Sequence, residues 1–197
     1  MTGAPLFETA RFKVRELQRG ELPALQALFE ANPQYFITVG GQGPRPDEAV
    51  AEYEELPPPH LSYSGRWFAG FFDADQALCG MAIVLSDLCA VGVWHVALFI
   101  LADEWHGTGA ARELYEALEA WAARSGATWM RLGVVQGNVR AERFWQARGF
   151  APVRTRPLVN ASGQARTVFA MVKPLRGGTV EQYLQLVPRD HPDSTLP

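Results

Sequence analysis

At 197 residues the chain is long enough to bury a substantial core within one domain. Its composition, 48% hydrophobic and 20% charged, is that of a globular protein, and a net charge of −3 gives none of the basic surplus expected of a nucleic-acid binder. No apolar run approaches the ~18–20 residues that cross a bilayer.

The N-terminus lacks the basic start and continuous apolar core of a secretory signal. Cys79 and Cys89 have no His or Cys partners at metal-ligand spacing. The expectation is a cytoplasmic protein with reduced cysteines, no metal, and neither nucleic acid nor membrane as partner.

Arg11 to Leu17 alternates apolar and charged residues, the period of a half-buried strand. A helix opens near Leu22, with Pro23 in its first turn, and Asn32-Pro33 stops it. Residues 34–46 are rich in Gly and Pro and are expected to be irregular. Asp47 to Leu56 follows as a short acidic helix, carrying Asp47, Glu48, Glu52, Glu54 and Glu55 without a base. It reads either as a solvated surface or as an acidic wall facing a cation.

Arg66–Phe72 and Leu78–Leu85 read as two strands of an antiparallel meander, and Trp94–Leu101 as the next. From Gly109 a helix places Ala111, Leu114, Leu118, Trp121 and Ala122 on one side, and Gly126 ends it. Thr128–Val135 is a strand parallel to the one before it, because a helix joins them. Asn138 caps a second helix, Gly149 ends that, and Ala165–Val172 is the last strand. The tail after Pro174 turns polar, and its final stretch is expected to be disordered or to lie against a partner.

The turn His106-Gly107-Thr108-Gly109-Ala110-Ala111-Arg112 joins an apolar strand to a long amphipathic helix. A helix start exposes unpaired N–H groups and a partial positive charge, and small residues let an anion reach them. Neither a GxGxxG fingerprint nor a GxxxxGK[ST] phosphate loop is present.

The pattern resembles the GCN5-related N-acetyltransferase superfamily. His106-Gly107-Thr108-Gly109-Ala110-Ala111 matches the family's Gln/Arg-x-x-Gly-x-Gly/Ala signature with His in the first place. Downstream, Asn138-x-x-Ala141-x-x-Phe144-Trp145-x-x-x-Gly149-Phe150 fits as well. The resemblance is strong from about residue 66 to 173.

It implies an α/β (α+β) fold: a mixed, mostly antiparallel sheet of about six to seven strands, flanked by helices, with a V-shaped splay between strands 4 and 5. Residues 1–175 form the single domain, 34–63 a variable substrate-side insertion, and 176–197 a tail. The implied activity is acetyl transfer from acetyl-coenzyme A to a primary amine of a small molecule or peptide, by a monomer or homodimer.

Carried over residue by residue, the cofactor set is Phe99, Ile100, Leu101, His106, Gly107, Thr108, Gly109, Ala110, Ala111, Arg112 and Asn138. The loop N–H groups would cradle the pyrophosphate, and the backbone of Phe99 and Leu101, flanking Ile100, would bond the pantetheine amides. Arg112 reaches a phosphate or pairs with Glu116, and Asn138 serves the cofactor or caps its helix. His95 stands where the family often places a proton acceptor or water positioner, and a histidine in an apolar strand is also an ordinary core residue.

The chain departs from the family pattern at Trp145, where many members place a Tyr that protonates the leaving thiolate. Either the thiolate leaves with help from water, or a residue of the 34–63 insertion such as Tyr35, Tyr53 or Tyr63 supplies the proton. The departure also supports an alternative, a non-catalytic acyl-coenzyme A sensor or interaction module.

Overall fold

The computed structural model describes residues 4–159 and 163–196. Its strands form one eight-stranded sheet, β1 (Pro5–Glu8), β2 (Lys13–Glu16), β3 (Gly65–Phe72), β4 (Leu78–Ser86), β5 (Val93–Leu101), β6 (Trp129–Val135), β7 (Ala151–Val159) and β8 (Ala165–Pro174). The spatial order is β1-β2-β3-β4-β5-β6-β8-β7, antiparallel throughout except for the β5–β6 pair.

The helices are α1 (Leu22–Ala31), α2 (Pro33–Gly40), α3 (Glu48–Glu54), α4 (Ala110–Arg124), α5 (Val139–Ala147) and α6 (Val180–Leu186). One face of the sheet meets α4 and α5 through Trp94, Val96, Leu114, Leu118 and Trp145. The other face carries α1 to α3 over Phe68, Ile83, Leu98 and Ile100, and α6 over Val93, Val172 and Trp129. A strand covered on both faces needs no polar alternation, which is why β4 and β5 read as nearly continuous apolar runs.

The mixed sheet and its flanking helices are as expected, with eight strands in place of six or seven. The segment expected as one strand at 11–17 is the second arm of a hairpin whose first arm, β1, lacks a clean alternation. β7 was hidden by Pro152 and Pro157, which an edge strand tolerates because its outer N–H groups need no partner.

Residues 34–40 were expected to be irregular and instead form α2. Pro33, which ends α1, sits in the first turn of α2, where a missing N–H costs nothing, and Phe36 is buried against Phe29 at 4.9 Å. Gly41, at φ 83°, closes that helix.

The tail is the largest correction. Thr179 and Gln182 form a reciprocal capping box that starts α6. Tyr183, Val187 and Asp190 are at most 1% exposed against the chain's own sheet. The described part of 176–197 therefore contributes to the domain that was expected to end at 175.

The splay is present, between β5 and β6 because β1 advances the count. Parallel pairing runs only from Val93 opposite Trp129 to Val96 opposite Leu132. Beyond that rung β5 continues along β4 to Leu101, and β6 continues along β8 to Val135. On the β4 side the register jumps between Ile83–Leu98 and Val84–Val96, leaving Ala97 as an exposed bulge residue at the fork. An extra residue of this kind bends its strand away from its neighbour.

Candidate active site at the strand fork

Strand alternation decides which backbone groups face the fork. Ala102 N–H donates to Cys79 O at 2.8 Å, and the Ile100 carbonyl lies against Gly80, so both residues point toward β4. Phe99 and Leu101, one residue out of phase, direct their backbone groups into the gap. Leu101's carbonyl is engaged by His106 Nε2 at 2.9 Å, which leaves its N–H and both Phe99 groups. Ile100 is corrected: its backbone serves β4 and its side chain fills the core beneath α1. Gly133, exposed on β6 beyond the last shared rung, keeps the opposite wall of the gap low.

At the mouth of the fork, Gly107 and Gly109 adopt φ of 77° and 83°, a region where other residues are strained. A side chain at Gly107 would meet nothing within 4 Å, so conformation rather than crowding requires glycine there. Ala111 and Arg112, in the first turn of α4, have N–H groups beyond the reach of intrahelical acceptors. The Ala110 N–H is already accepted by Thr108 Oγ1 at 3.3 Å, and Thr108 Oγ1 in turn donates to Trp105 O at 2.8 Å.

The loop's side chains hold it in place. His106 Nδ1 meets Asp103 Oδ1 at 2.9 Å. The Arg112 guanidinium pairs along the helix with Glu116 at 2.8 Å, the second of its two expected roles. Asn138 caps α5, its Oδ1 accepting from Ala141 N at 3.1 Å.

Two bracing residues had no sequence signal. Arg11, in the β1–β2 turn, donates to Glu113 at 2.7 Å and to the Thr108 carbonyl at 3.4 Å. Asn32, 5% exposed, accepts from Asp103 N at 2.7 Å and donates to Leu28 O at 2.6 Å, tying α1 to the loop.

His95 lies on the face away from α4, one rung before the last shared one, opposite Arg131. Its Nδ1 is 3.3 Å from Arg131 Nη1. Arg131 donates two further bonds to Asp190, at 2.7 and 2.9 Å, and Tyr183 Oη donates to the same carboxylate at 2.6 Å. Burial pushes the Asp190 carboxyl up, but the hydrogen bond and charge of Arg131, with Tyr183, more than reverse that and hold it below the usual carboxylate range. Burial, then the charge of Arg131, lowers His95 to about 3. A ring held neutral with a guanidinium on its Nδ1 lone pair is a poor proton acceptor, and this counts against His95 as the base.

A second carboxyl with a displaced ionisation lies on α3, which packs on the same face of the sheet as α1. On α3 the Glu52 carboxyl is pushed up to about 7, first by burial and then by Glu55 and Glu48. Arg66 fixes that end of the helix by donating to the Glu52 and Tyr53 carbonyls, at 2.6 and 3.1 Å. The sequence marked α3 only as acidic, because its spacing does not reveal which carboxyl is desolvated.

Trp145 is buried, in ring contact with Phe99 at 5.8 Å and with Tyr115 at 5.1 Å. Tyr115 donates to Glu119 at 2.6 Å and is fully buried, out of play as an acid. Burial, then Glu52, raises Tyr35 above the ordinary tyrosine value. Two shallow cavities, of about 370 and 220 Å³, lie against the C-terminal segment and not at the fork. No group of three or more metal-ligating side chains occurs among the described residues, and no helix among them is long and apolar enough to cross a membrane.

Comparison with known proteins agrees with this geometry. The profile described as the Acetyltransferase (GNAT) family matches residues 25–150. Among solved structures, an acetyltransferase from Thermus thermophilus superposes with a TM-score of 0.65 at 20% identity, covering 85% of this chain and 99% of that one. Spermidine N-acetyltransferase from Vibrio cholerae, solved with CoA and spermine, gives 0.61 at 19% identity, covering 83% and 95%. The ribosomal-protein-S18-alanine N-acetyltransferase from Escherichia coli gives 0.58 at 13% identity, covering 86% and 97%. No curated protein sequence matches the chain.

Proposed function

Because this chain belongs to the acetyltransferase (GNAT) family, we propose that it transfers an acetyl group from acetyl-coenzyme A to a primary amine of a small molecule or peptide, by direct attack of the amine on the thioester. The observation that carries the reading is the continuous line of unspent backbone groups from the fork to the loop. It runs through Phe99, the Leu101 N–H, Gly107, Gly109, Ala111 and Arg112. The glycine conformations and the helix start suit a pyrophosphate, and the open strand edge suits an amide-bearing arm. Acetyl-coenzyme A supplies the activated acyl thioester.

The chain's own residues bind and orient. His106, Thr108, Arg11 and Asn32 keep the loop in shape, while Asn138 holds the α5 start on the other side of the gap. Glu52 on α3, a carboxyl whose ionisation falls near neutrality, is the candidate we name for accepting the amine's proton. The acidic helix around it favours a cationic amine.

Release of free thiol from acetyl-coenzyme A across a panel of polyamines, amino-terminal peptides and small primary amines tests the reading. Turnover with any of them supports it. Cofactor binding with no turnover across the panel favours the non-catalytic acyl-coenzyme A module, which Trp145 in the acid's place also supports.

A further inference from the structure

The pairing of His95 with Arg131 determines the chemistry of the imidazole. Arginine has donors only, so the nitrogen facing it must accept. A neutral imidazole carries one N–H, which therefore sits on Nε2. Protonating Nδ1 would set two donors against each other beside a buried cation. Arg131 cannot turn away, because its other edge is held in a two-point bond to Asp190, which is 0% exposed. Beside that guanidinium contact, the ring's other hydrogen-bonding neighbour among the described residues is the Arg131 main-chain carbonyl. The ring lies two residues before Ala97, where the sheet forks and where an arm descending along Phe99–Leu101 would end.

Resting on the acetyltransferase reading, we propose that His95 is a fixed hydrogen-bond donor at the base of the fork, serving the acyl oxygen through Nε2–H, with Arg131 and Asp190 as the residues that position it. As the amine nitrogen bonds to the thioester carbon, the carbonyl electron pair moves onto oxygen, where a donor already in place stabilises the charge. The pair returns as the C–S bond breaks, sulfur leaves as thiolate, and the nitrogen's surplus proton passes to a carboxylate or water. His95 neither gains nor loses a proton. The charged and titratable groups around it are Arg131 on β6, Asp190 and Arg189 in the tail, Tyr183 on α6 and Arg156 on β7.

Long-range proton–nitrogen NMR of the uniformly labelled full chain between pH 5 and 8 is the direct test, with His95→Gln identifying the signals. The expected result is a single Nε2–H tautomer that does not titrate. An imidazole that protonates with a midpoint in the ordinary histidine range overturns the proposal, and this readout is independent of whether any amine is turned over. Replacing the buried pair together, Arg131→Met with Asp190→Leu, should restore ordinary titration, and a ring still locked in that variant refutes the positioning role.

With an amine that is turned over, His95→Leu should lose about 10²–10³-fold in kcat at unchanged KM for acetyl-coenzyme A, the effect of removing one donor to a developing oxyanion. His95→Gln, which retains an N–H donor, should recover most of that loss and leave the pH profile in place. Gln as impaired as Leu, or a pH limb near 6.5 abolished by Gln, contradicts the donor role.

Discussion

The two ends of the β5–β6 fork are built from different materials. The mouth, from Phe99 to Arg112, is made of main-chain groups left without partners, with glycines at positive φ and side chains turned to bracing. The base is made of side chains with almost nothing left over: His95, Arg131, Asp190 and Tyr183 form one bonded chain across β5, β6 and the tail. A site meant to receive an anion needs unspent donors, whereas a group meant to keep one protonation state needs its alternatives blocked. The two ends meet along β5, which carries His95 at one and Phe99 to Leu101 at the other.

The contrast is sharpest where a charge is removed. Arg131→Met strands a fully buried Asp190 carboxylate and should cost about 3–5 kcal/mol in urea unfolding. The double replacement with Asp190→Leu should return most of that. Equal loss in single and double variants would mean that the pair matters by shape alone.

At the mouth, Gly109→Val forces a β-branched residue to φ 83° and should cost about 1–3 kcal/mol of loop conformation. Calorimetry should register it as acetyl-coenzyme A affinity reduced while the fold persists. Unchanged affinity would break the assignment of the loop as the phosphate cradle.

Acid should weaken the base of the fork. His95 sits at about 3 folded, against an ordinary value of about 6.5, so below neutrality the unfolded chain binds a proton that the folded one refuses. Stability then falls with decreasing pH by up to about 1.4 kcal/mol per unit between those values. Asp190, held low, adds stabilisation that is complete above the unfolded carboxylate range and is lost as pH falls through its folded value. Urea midpoints at pH 7, 5.5 and 4.5 should decline, and His95→Gln should flatten the first part of that decline.

The smallest effect belongs to the far wall. Asn138→Ala removes the α5 cap and should cost about 1 kcal/mol. A much larger loss of acetyl-coenzyme A affinity than of stability would assign the residue to the cofactor as well.

How legible each end was follows from the same difference. The mouth was readable because its requirements, glycine at particular backbone angles and small residues at a helix start, are local and leave a pattern at fixed spacing. Even there, alternation excluded Ile100 only once the β4 register was known. The base was not readable. Arg131 sits inside an apolar strand, and Asp190 in a segment whose polarity resembled an unanchored tail. Only the fold brings them within 2.7 Å. His95 was found by position but was expected to be a possible base, because nothing local to it indicated a guanidinium on its ring nitrogen. The edge strand β7 and the helix α2 were missed for a related reason: prolines that usually interrupt structure stand at the few positions where structure tolerates them.

The bond from Arg131 to Asp190 closes a loop of 59 residues, and its partner His95 lies further back still. Contacts between distant parts of a chain carry a closure entropy that grows slowly with the length of the loop they close. The mouth is braced over longer spans still, 102 residues between Arg11 and Glu113 and 71 between Asn32 and Asp103. Both ends of the fork therefore depend on the whole chain being folded, and the fork is incomplete in a fragment that lacks either the first 32 residues or the segment around Asp190.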